Sequence, residues 1–347
     1  MYRARKDRDE TLRWGILSTA RINRRVIPPI GTAERSELVG VASRDPERAR
    51  EFSRSWKIPL VFDSYQALLD SPEINTVYLP LPNQLHCEWA IRAARAGKHV
   101  LCEKPLALNE ADAGKMIRSA AENKVILLEG LAYRTHPQFL KLKELIGEKV
   151  IGPLALIRAH YSFTLPRQRA NIRWEKKLGG GCLWDVGCYP VSFAGGIVGS
   201  PPSEVFAFRK NASSGVDVFF TAQMLFPGGV VAQIDCGFSS PYRVGAEVVG
   251  RNGVIYIPNP WQPDVDGKKS GIIHISSGDH ESIIPTEVID PYLCEITAME
   301  ESVLDGKPPP ITPDESRVNI AVLAALARSA GTKKTVRVTV RRTSRRS

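Results

Sequence analysis

Three stretches of this sequence carry side chains able to do chemistry together. Glu103-Lys104-Pro105 closes an apolar run, Lys98 to Cys102, so an ammonium is presented at the end of a strand. Asp185 and Tyr189 follow three glycines, Gly179-Gly180-Gly181, and stand at i and i+4, which places them on one face of a helix. The glycines permit close approach to another backbone. A free tyrosine loses its proton at about pH 10, and a nearby ammonium favours the ionised form, so Lys104 beside Tyr189 would bring the phenol toward working pH. Taken singly, each residue has an ordinary explanation: Lys104 as a surface lysine after a strand, Tyr189 as a core tyrosine with a satisfied hydroxyl.

The third stretch is Ser18-Thr19-Ala20-Arg21-Ile22-Asn23, directly after the apolar run Leu12 to Leu17. Set against the dinucleotide fingerprint GxGxxG, the three glycines become Ser18, Ala20 and Asn23. The pattern fails as a match, yet Ala20 is still small where the backbone must approach a pyrophosphate. The helix that follows offers free N–H groups and its positive dipole end. After the second apolar run, Leu38 to Ala42, comes Ser43-Arg44. NAD-binding domains place an acid there for the ribose hydroxyls, whereas a hydroxyl and a guanidinium suit the 2′-phosphate of NADP. Asp45 is the competing residue, since a small register shift would bring it to the ribose and favour NAD.

These side chains need elements to hold them. Apolar runs at 12–17, 38–42, 61–62, 76–81, 98–102 and 125–128 alternate with helical stretches at Pro46 to Trp56, His86 to Ala96 and Asn109 to Asn123. Ser64 is placed to cap a helix carrying Ala67, Leu68 and Leu69, and Gly97 to end one. Such alternation predicts a parallel sheet covered on both faces, a doubly wound α/β domain with ligands at the carboxyl ends of its strands. The second half reads as strands at 154–163, 205–209, 216–226, 230–238, 244–249 and 254–257, with Gly228-Gly229 and Asn252-Gly253 as hairpin turns. Consecutive hairpins predict an antiparallel sheet. A late helix, about 313–330, follows Pro308-Pro309-Pro310, and 335–340 reads as a last strand.

At 347 residues the chain has the length of about two domains. No run of about 18 apolar residues predicts a membrane span. Its 47 Lys+Arg against 37 Asp+Glu give +10, a balance that raises nucleic acid, anionic membrane or a phosphorylated ligand as partners. Seven of the positives are Lys333, Lys334, Arg337, Arg341, Arg342, Arg345 and Arg346, so 10 − 7 leaves +3 for residues 1–332. The excess is a property of the end of the chain, and neither nucleic acid nor membrane is expected as a partner. Six cysteines show no CxxC pair and no histidine at zinc spacing, which predicts no metal site and reduced thiols in the cytoplasm.

GKHVLCEKPL (97–106) and GGGCLWDVGCYP (179–190) resemble the two signature segments of the glucose–fructose oxidoreductase / inositol dehydrogenase / MocA family. WGILSTARIN (14–23), ASRDPERA (42–49), LPLPNQLH (79–86) and YRTHPQ (133–138) extend the resemblance across most of the chain. It implies an N-terminal Rossmann domain (1–132) and a C-terminal α+β domain (133–340) built on a large open antiparallel sheet that commonly forms an oligomer interface, here a homodimer or homotetramer. Residues 341–347 are left as a basic tail. The resemblance also implies Lys104 beside the nicotinamide, often with a cis bond to Pro105. It puts cofactor contacts at Ser18, Thr19, Ala20, Arg21, Ile22, Ser43, Arg44, Leu79, Pro80, Asn83, His86 and Glu103. For His86 a role at the helix start competes. For Glu103 the competing role is support of its turn. Arg134 and His136 read as substrate contacts or as a domain hinge; Asn171, Arg173 and Trp174 read as a pocket wall or as packing.

Many family members carry His where this chain has Tyr189, which resembles the branch of aldose and dihydrodiol dehydrogenases. Oxidising an alcohol needs a hydride acceptor and a base, so Lys104, Tyr189 and Asp185 are expected as the catalytic set. A general base is worth about 10²–10⁴-fold in rate. The expectation is an NADP-preferring sugar 1-dehydrogenase, with NAD as the other cofactor. The alternatives are trans-dihydrodiol oxidation, hydride shuttling between two sugars, and a non-catalytic dinucleotide-binding regulator.

Overall fold

A computed structural model describes residues 10–166, 171–264, 271–278 and 280–340. The basic tail at 341–347 lies outside them. The described residues of the first half run β1 (Leu12–Leu17), α1 (Asn23–Thr32), β2 (Ser36–Ala42), α2 (Pro46–Trp56), β3 (Leu60–Phe62), α3 (Tyr65–Asp70), β4 (Thr76–Leu79), α4 (His86–Arg95), β5 (His99–Glu103), α5 (Glu110–Glu122) and β6 (Leu127–Gly130). All six strands are parallel, in the order β3-β2-β1-β4-β5-β6. Leu12, Trp14, Ile16, Val41, Val77, Tyr78 and Leu101 are buried, as strands covered by helices on both faces require. The order reverses between β1 and β4, and such a switch point opens a crevice at the carboxyl ends of the strands.

The second half runs α6 (Pro137–Gly147), β7 (Leu154–Ser162), α7 (Cys188–Val198), β8 (Glu204–Asn211), β9 (Asp217–Leu225), β10 (Val231–Gly237), β11 (Arg243–Gly250), β12 (Val254–Ile257), β13 (Ile272–Ser277), β14 (His280–Pro285), α8 (Pro291–Leu304), α9 (Pro313–Thr332) and β15 (Val336–Arg337). Its strands form one sheet, β14-β13-β12-β11-β7-β10-β9-β8-β15. The sheet is mixed, not wholly antiparallel: β10 runs parallel to β7, with Leu156 opposite Val231 and Ser162 opposite Gly237. Hairpins fix β8-β9-β10 and β11-β12, but β7 is followed by the long connection through α7, a crossover of the kind parallel neighbours need.

Helices α6, α7 and α9 pack on one face of this sheet. On the other face the alternation leaves Phe208, Phe219, Leu225, Tyr256 and Ile283 exposed. The last two helices return to the first sheet. α8 lies against α1, where Arg35 makes a two-bond fork to Asp305 (2.7 and 2.8 Å). α9 packs on α5 and β6 as well as on α7 and β8, and Arg134 reaches Glu315 at its start (3.0 Å). Among the described residues no helix is long and apolar enough to cross a membrane.

Candidate active site

The turn after β1 adopts the conformation of the glycine it replaces. Ser18 has φ +123°, which costs a side-chain-bearing residue about 1–3 kcal/mol and persists where the surroundings demand it. Three bonds hold it: its N–H donates to Ala42 O (2.9 Å), its hydroxyl to Pro80 O (3.2 Å), and Asn23 Nδ2 donates to Ser18 O (2.8 Å). The turn is thereby tied to the ends of β2 and β4, the two rims of the crevice. Thr19, Ala20 and Ile22 are half-buried along it and Arg21 is exposed. Helices α2, α3 and α5 are each capped by a side chain, from Asp45, Ser64 and Asn109, whereas α1 has none. Asn23 N and Arg25 N donate to Ala20 O (3.1 Å) and Ile22 O (2.8 Å), but no acidic side chain offsets the positive end of α1, which suits a phosphate, and the residues present fit a dinucleotide. Leu79 and Pro80 are buried at the end of β4 beneath the turn.

At the end of β2, Ser43 is buried and Arg44 exposed. Asp45 is committed elsewhere: its carboxylate accepts from Arg48 N (3.2 Å) as the cap of α2.

Past β5, the Lys104–Pro105 peptide is cis. Lys104 Nζ donates to the main-chain oxygen of Asp185 (2.5 Å) and to its Oδ1 (3.2 Å). Arg173 Nε donates to the other carboxylate oxygen (2.5 Å). Burial opposes the charge on both Lys104 and Asp185, but the attraction between them outweighs it: the lysine titrates above its ordinary value and the carboxyl, with Arg173 adding, below. Glu103 accepts from Tyr78 OH (2.6 Å), and its burial raises its pKa. Asn83, at the end of β4, donates to Gly179 O (3.0 Å), joining the first sheet to the glycine run.

Asp185 sits in a π-helical turn, Leu183–Gly187, which runs directly into α7. Such turns gather at functional sites. The three glycines make room for it: a Cβ at Gly180 would lie 2.6 Å from Arg173 O, and one at Gly181 (φ +114°) 2.3 Å from Asp217 Oδ1. The geometry brings Asp185, Lys104 and Tyr189 together, but it corrects how. Lys104 Nζ lies over the ring of Tyr189, 5.1 Å from its centroid, and not at the hydroxyl. Burial pushes the phenol well above its ordinary pKa, reinforced by Tyr292 and Tyr161, so Lys104 does not bring it toward neutrality. No described side chain or carbonyl takes the Tyr189 hydroxyl in a hydrogen bond. Tyr161 (5.4 Å), Tyr133 (5.9 Å) and Trp261 (5.9 Å) wall the ring in.

Other expected residues fall differently. His86 is fully buried, its ring nitrogens 2.9 Å from Pro105 O and 2.9 Å from Leu81 O, so it braces the Lys104–Pro105 turn instead of meeting a cofactor. Arg134 and His136 are buried too. Arg134 bonds Ser192 and Glu315, and His136 caps α6 and meets Ile289 O (3.1 Å), which makes both structural ties and not substrate contacts. Trp174 Nε1 donates to Pro166 O (3.2 Å). Tyr161 and Trp261 escaped the sequence reading because one looks like strand core and the other like a loop residue. Among the described residues no cluster of three His, Cys, Asp or Glu could hold a metal.

Residues 12–131 match the oxidoreductase family with an NAD-binding Rossmann fold, and residues 139–256 match the GFO/IDH/MocA C-terminal domain. The chain belongs to the Gfo/Idh/MocA family. As a Gfo/Idh/MocA protein it is an oxidoreductase with an NAD(P)-binding domain. Among its Gfo/Idh/MocA relatives is a dTDP-3,4-didehydro-2,6-dideoxy-alpha-D-glucose 3-reductase of Actinomadura kijaniata, 33% identical over 86% of this chain and 89% of that one. Another is a D-xylose 1-dehydrogenase (NADP(+)) of Haloferax volcanii, 30% identical over 92% and 97%. The crystal structure of a 3-ketoreductase from Actinomadura kijaniata with NADP and TDP-benzene superposes with a TM-score of 0.84 at 29% identity, covering 92% of this chain and 98% of that one.

Proposed function

We propose that this enzyme transfers a hydride between NADP and a hydroxyl-bearing carbon of a polyhydroxylated substrate, an aldose at its anomeric carbon. The observation that carries the reading is the open hydroxyl of Tyr189, on a ring held against a charged Lys104 that Asp185 pins in place. The nicotinamide supplies the hydride acceptor or donor when bound. The turn at Ser18–Ile22 and the uncapped start of α1 hold the pyrophosphate, Ser43 and Arg44 the 2′-phosphate, and Asn83 and Glu103 the nicotinamide half. Tyr189 takes the substrate's hydroxyl proton in oxidation and returns one to the carbonyl oxygen in reduction. Lys104 supplies fixed positive charge beside the oxygen on which negative charge develops. Because its phenol stays protonated at neutral pH, Tyr189 is ready as an acid before it is ready as a base. An assay of aldoses, polyols and dihydrodiols with NADP and NAD, read at 340 nm in both directions, tests the assignment.

The preference for NADP rests on Arg44, exposed at the crevice, with one carboxylate oxygen of Asp45 engaged in capping α2. Hydrogen bonds to charged groups contribute about 1.5–3 kcal/mol, so Arg44→Ala is expected to lower the NADP:NAD ratio of kcat/KM by roughly 10–100-fold. An unchanged ratio would remove Arg44 from the site.

We further read the enzyme as a cytoplasmic homodimer or homotetramer. Six free cysteines support the compartment. The open sheet face supports the assembly, since Phe208, Phe219, Leu225, Tyr256 and Ile283 line up along it. Phe208→Glu should shift the species seen by sedimentation velocity toward monomer; a wild-type chain that sediments as a monomer would refute the assembly.

A further inference from the structure

The proton transfer described above leaves half of one side chain unused. Arg173 spends only Nε on Asp185. Its two terminal nitrogens donate no hydrogen bond among the described residues, and its side chain is 41% exposed. It lines a cavity of about 40 Å³ together with Asn83, Gly179, Gly180 and Asp185, the last of which Lys104 bonds. Asp185 is the one acid of that lining, and both its oxygens are already taken, by Lys104 and by Arg173 Nε. Glu103, on the far side of Lys104, is held by Tyr78.

The main chain that carries the fork is fixed in place, and the bond from Nε to Asp185 orients the guanidinium. Arg173 N donates to Asn171 Oδ1 (3.1 Å), and Arg173 O accepts from Gly181 N (3.0 Å). The glycine at 180 lets that carbonyl approach more closely than any side chain would permit. Exposed Lys176 and Lys177 follow on the next turn. A preorganised guanidinium edge matches the two oxygens of a carboxylate or phosphate, and such charge-assisted pairs are the strong ones. A neutral sugar offers it only hydroxyls.

We infer that Arg173 determines specificity for an anionic sugar: a carboxylate or phosphate on the substrate seats on its free edge while the reacting carbon faces Tyr189. This rests on the reading of Lys104 and Tyr189 as the reacting site and names the class of substrate that site takes. The cavity has room for only about three waters, the size of an anionic group and not of a whole sugar.

The test compares D-glucose, D-glucuronate and D-glucose 6-phosphate as substrates with NADP, in the wild type, Arg173→Met and Arg173→Lys. One of the two acids should exceed D-glucose in kcat/KM by about 10–100-fold, as bonds to a charged group imply. Which acid wins separates a carboxylate from a phosphate site. Arg173→Met should bring the acid:neutral ratio near one, and Arg173→Lys should keep part of it. The ratio is the readout, so a general loss through a displaced Asp185 does not imitate the result. D-Glucose equal to or better than both acids overturns the inference and leaves the hydride-transfer reading standing. If none of the three is oxidised, the aldose reading fails, and calorimetric binding of the two acids to the enzyme with NADP decides: binding lost in Arg173→Met upholds the anion site, and no binding overturns it.

Discussion

Lys104→Met should lower turnover by about 10²–10⁴-fold, the scale on which a positioned charge or proton-transfer group acts. The change keeps much of the aliphatic stem and removes the ammonium that lies over Tyr189 and bonds Asp185. Asp185 keeps Arg173 as a counter-ion, so the fold avoids an uncompensated buried charge, whose cost would be about 3–5 kcal/mol. The variant should therefore fold, and NADPH binding, followed by nucleotide fluorescence, should weaken far less than turnover. A variant that reacts at the wild-type rate would show that Lys104 is a structural partner of Asp185 and nothing more.

The second large effect is expected from Tyr189→Phe, again about 10²–10⁴-fold in kcat. The ring packing against Tyr133, Tyr161 and Trp261 is kept, so only the hydroxyl is tested. The wild type adds a pH signature. Burial holds the phenol protonated well above its ordinary value. Oxidation needs the deprotonated form, whose fraction grows tenfold per pH unit below that pKa, so kcat for oxidation should climb through pH 7–9 at about that slope. Reduction uses the protonated form and should stay flat over the same range. Equal pH dependence in both directions would take the proton step away from Tyr189.

Much of this site was legible because its residues sit at the ends of elements that announce themselves. β1, β2, β4 and β5 are buried on both faces, so their apolar runs are nearly continuous, and Lys104, Ser18 and Arg44 follow them directly. Elements with blurred patterns were harder. α7 is apolar all round because it is buried between a sheet and α9, and it shows no stripe. α8 buries Glu295, Glu300 and Ser302 along with Ile296 and Met299, which hides its apolar face. The parallel β7–β10 pair is reached only through the 68 residues 163–230, which include α7, β8 and β9, and no local turn encodes it. The placement of Lys104 over the Tyr189 ring follows from a π-helical turn, which i and i+4 counting does not foresee.

The return of α8 and α9 to the first sheet bears on how the polypeptide is made. β6 ends at 130 and α8 begins at 291, so 160 residues separate the last strand of the dinucleotide-binding sheet from the first of the helices that come back to it. Ile296 and Met299 of α8, and Leu323 and Leu326 of α9, are fully buried. A ribosome that has finished the first sheet must still synthesise nearly the whole remainder before that apolar surface is sheltered. Until then the emerging half keeps that apolar surface open to solvent and to chaperones.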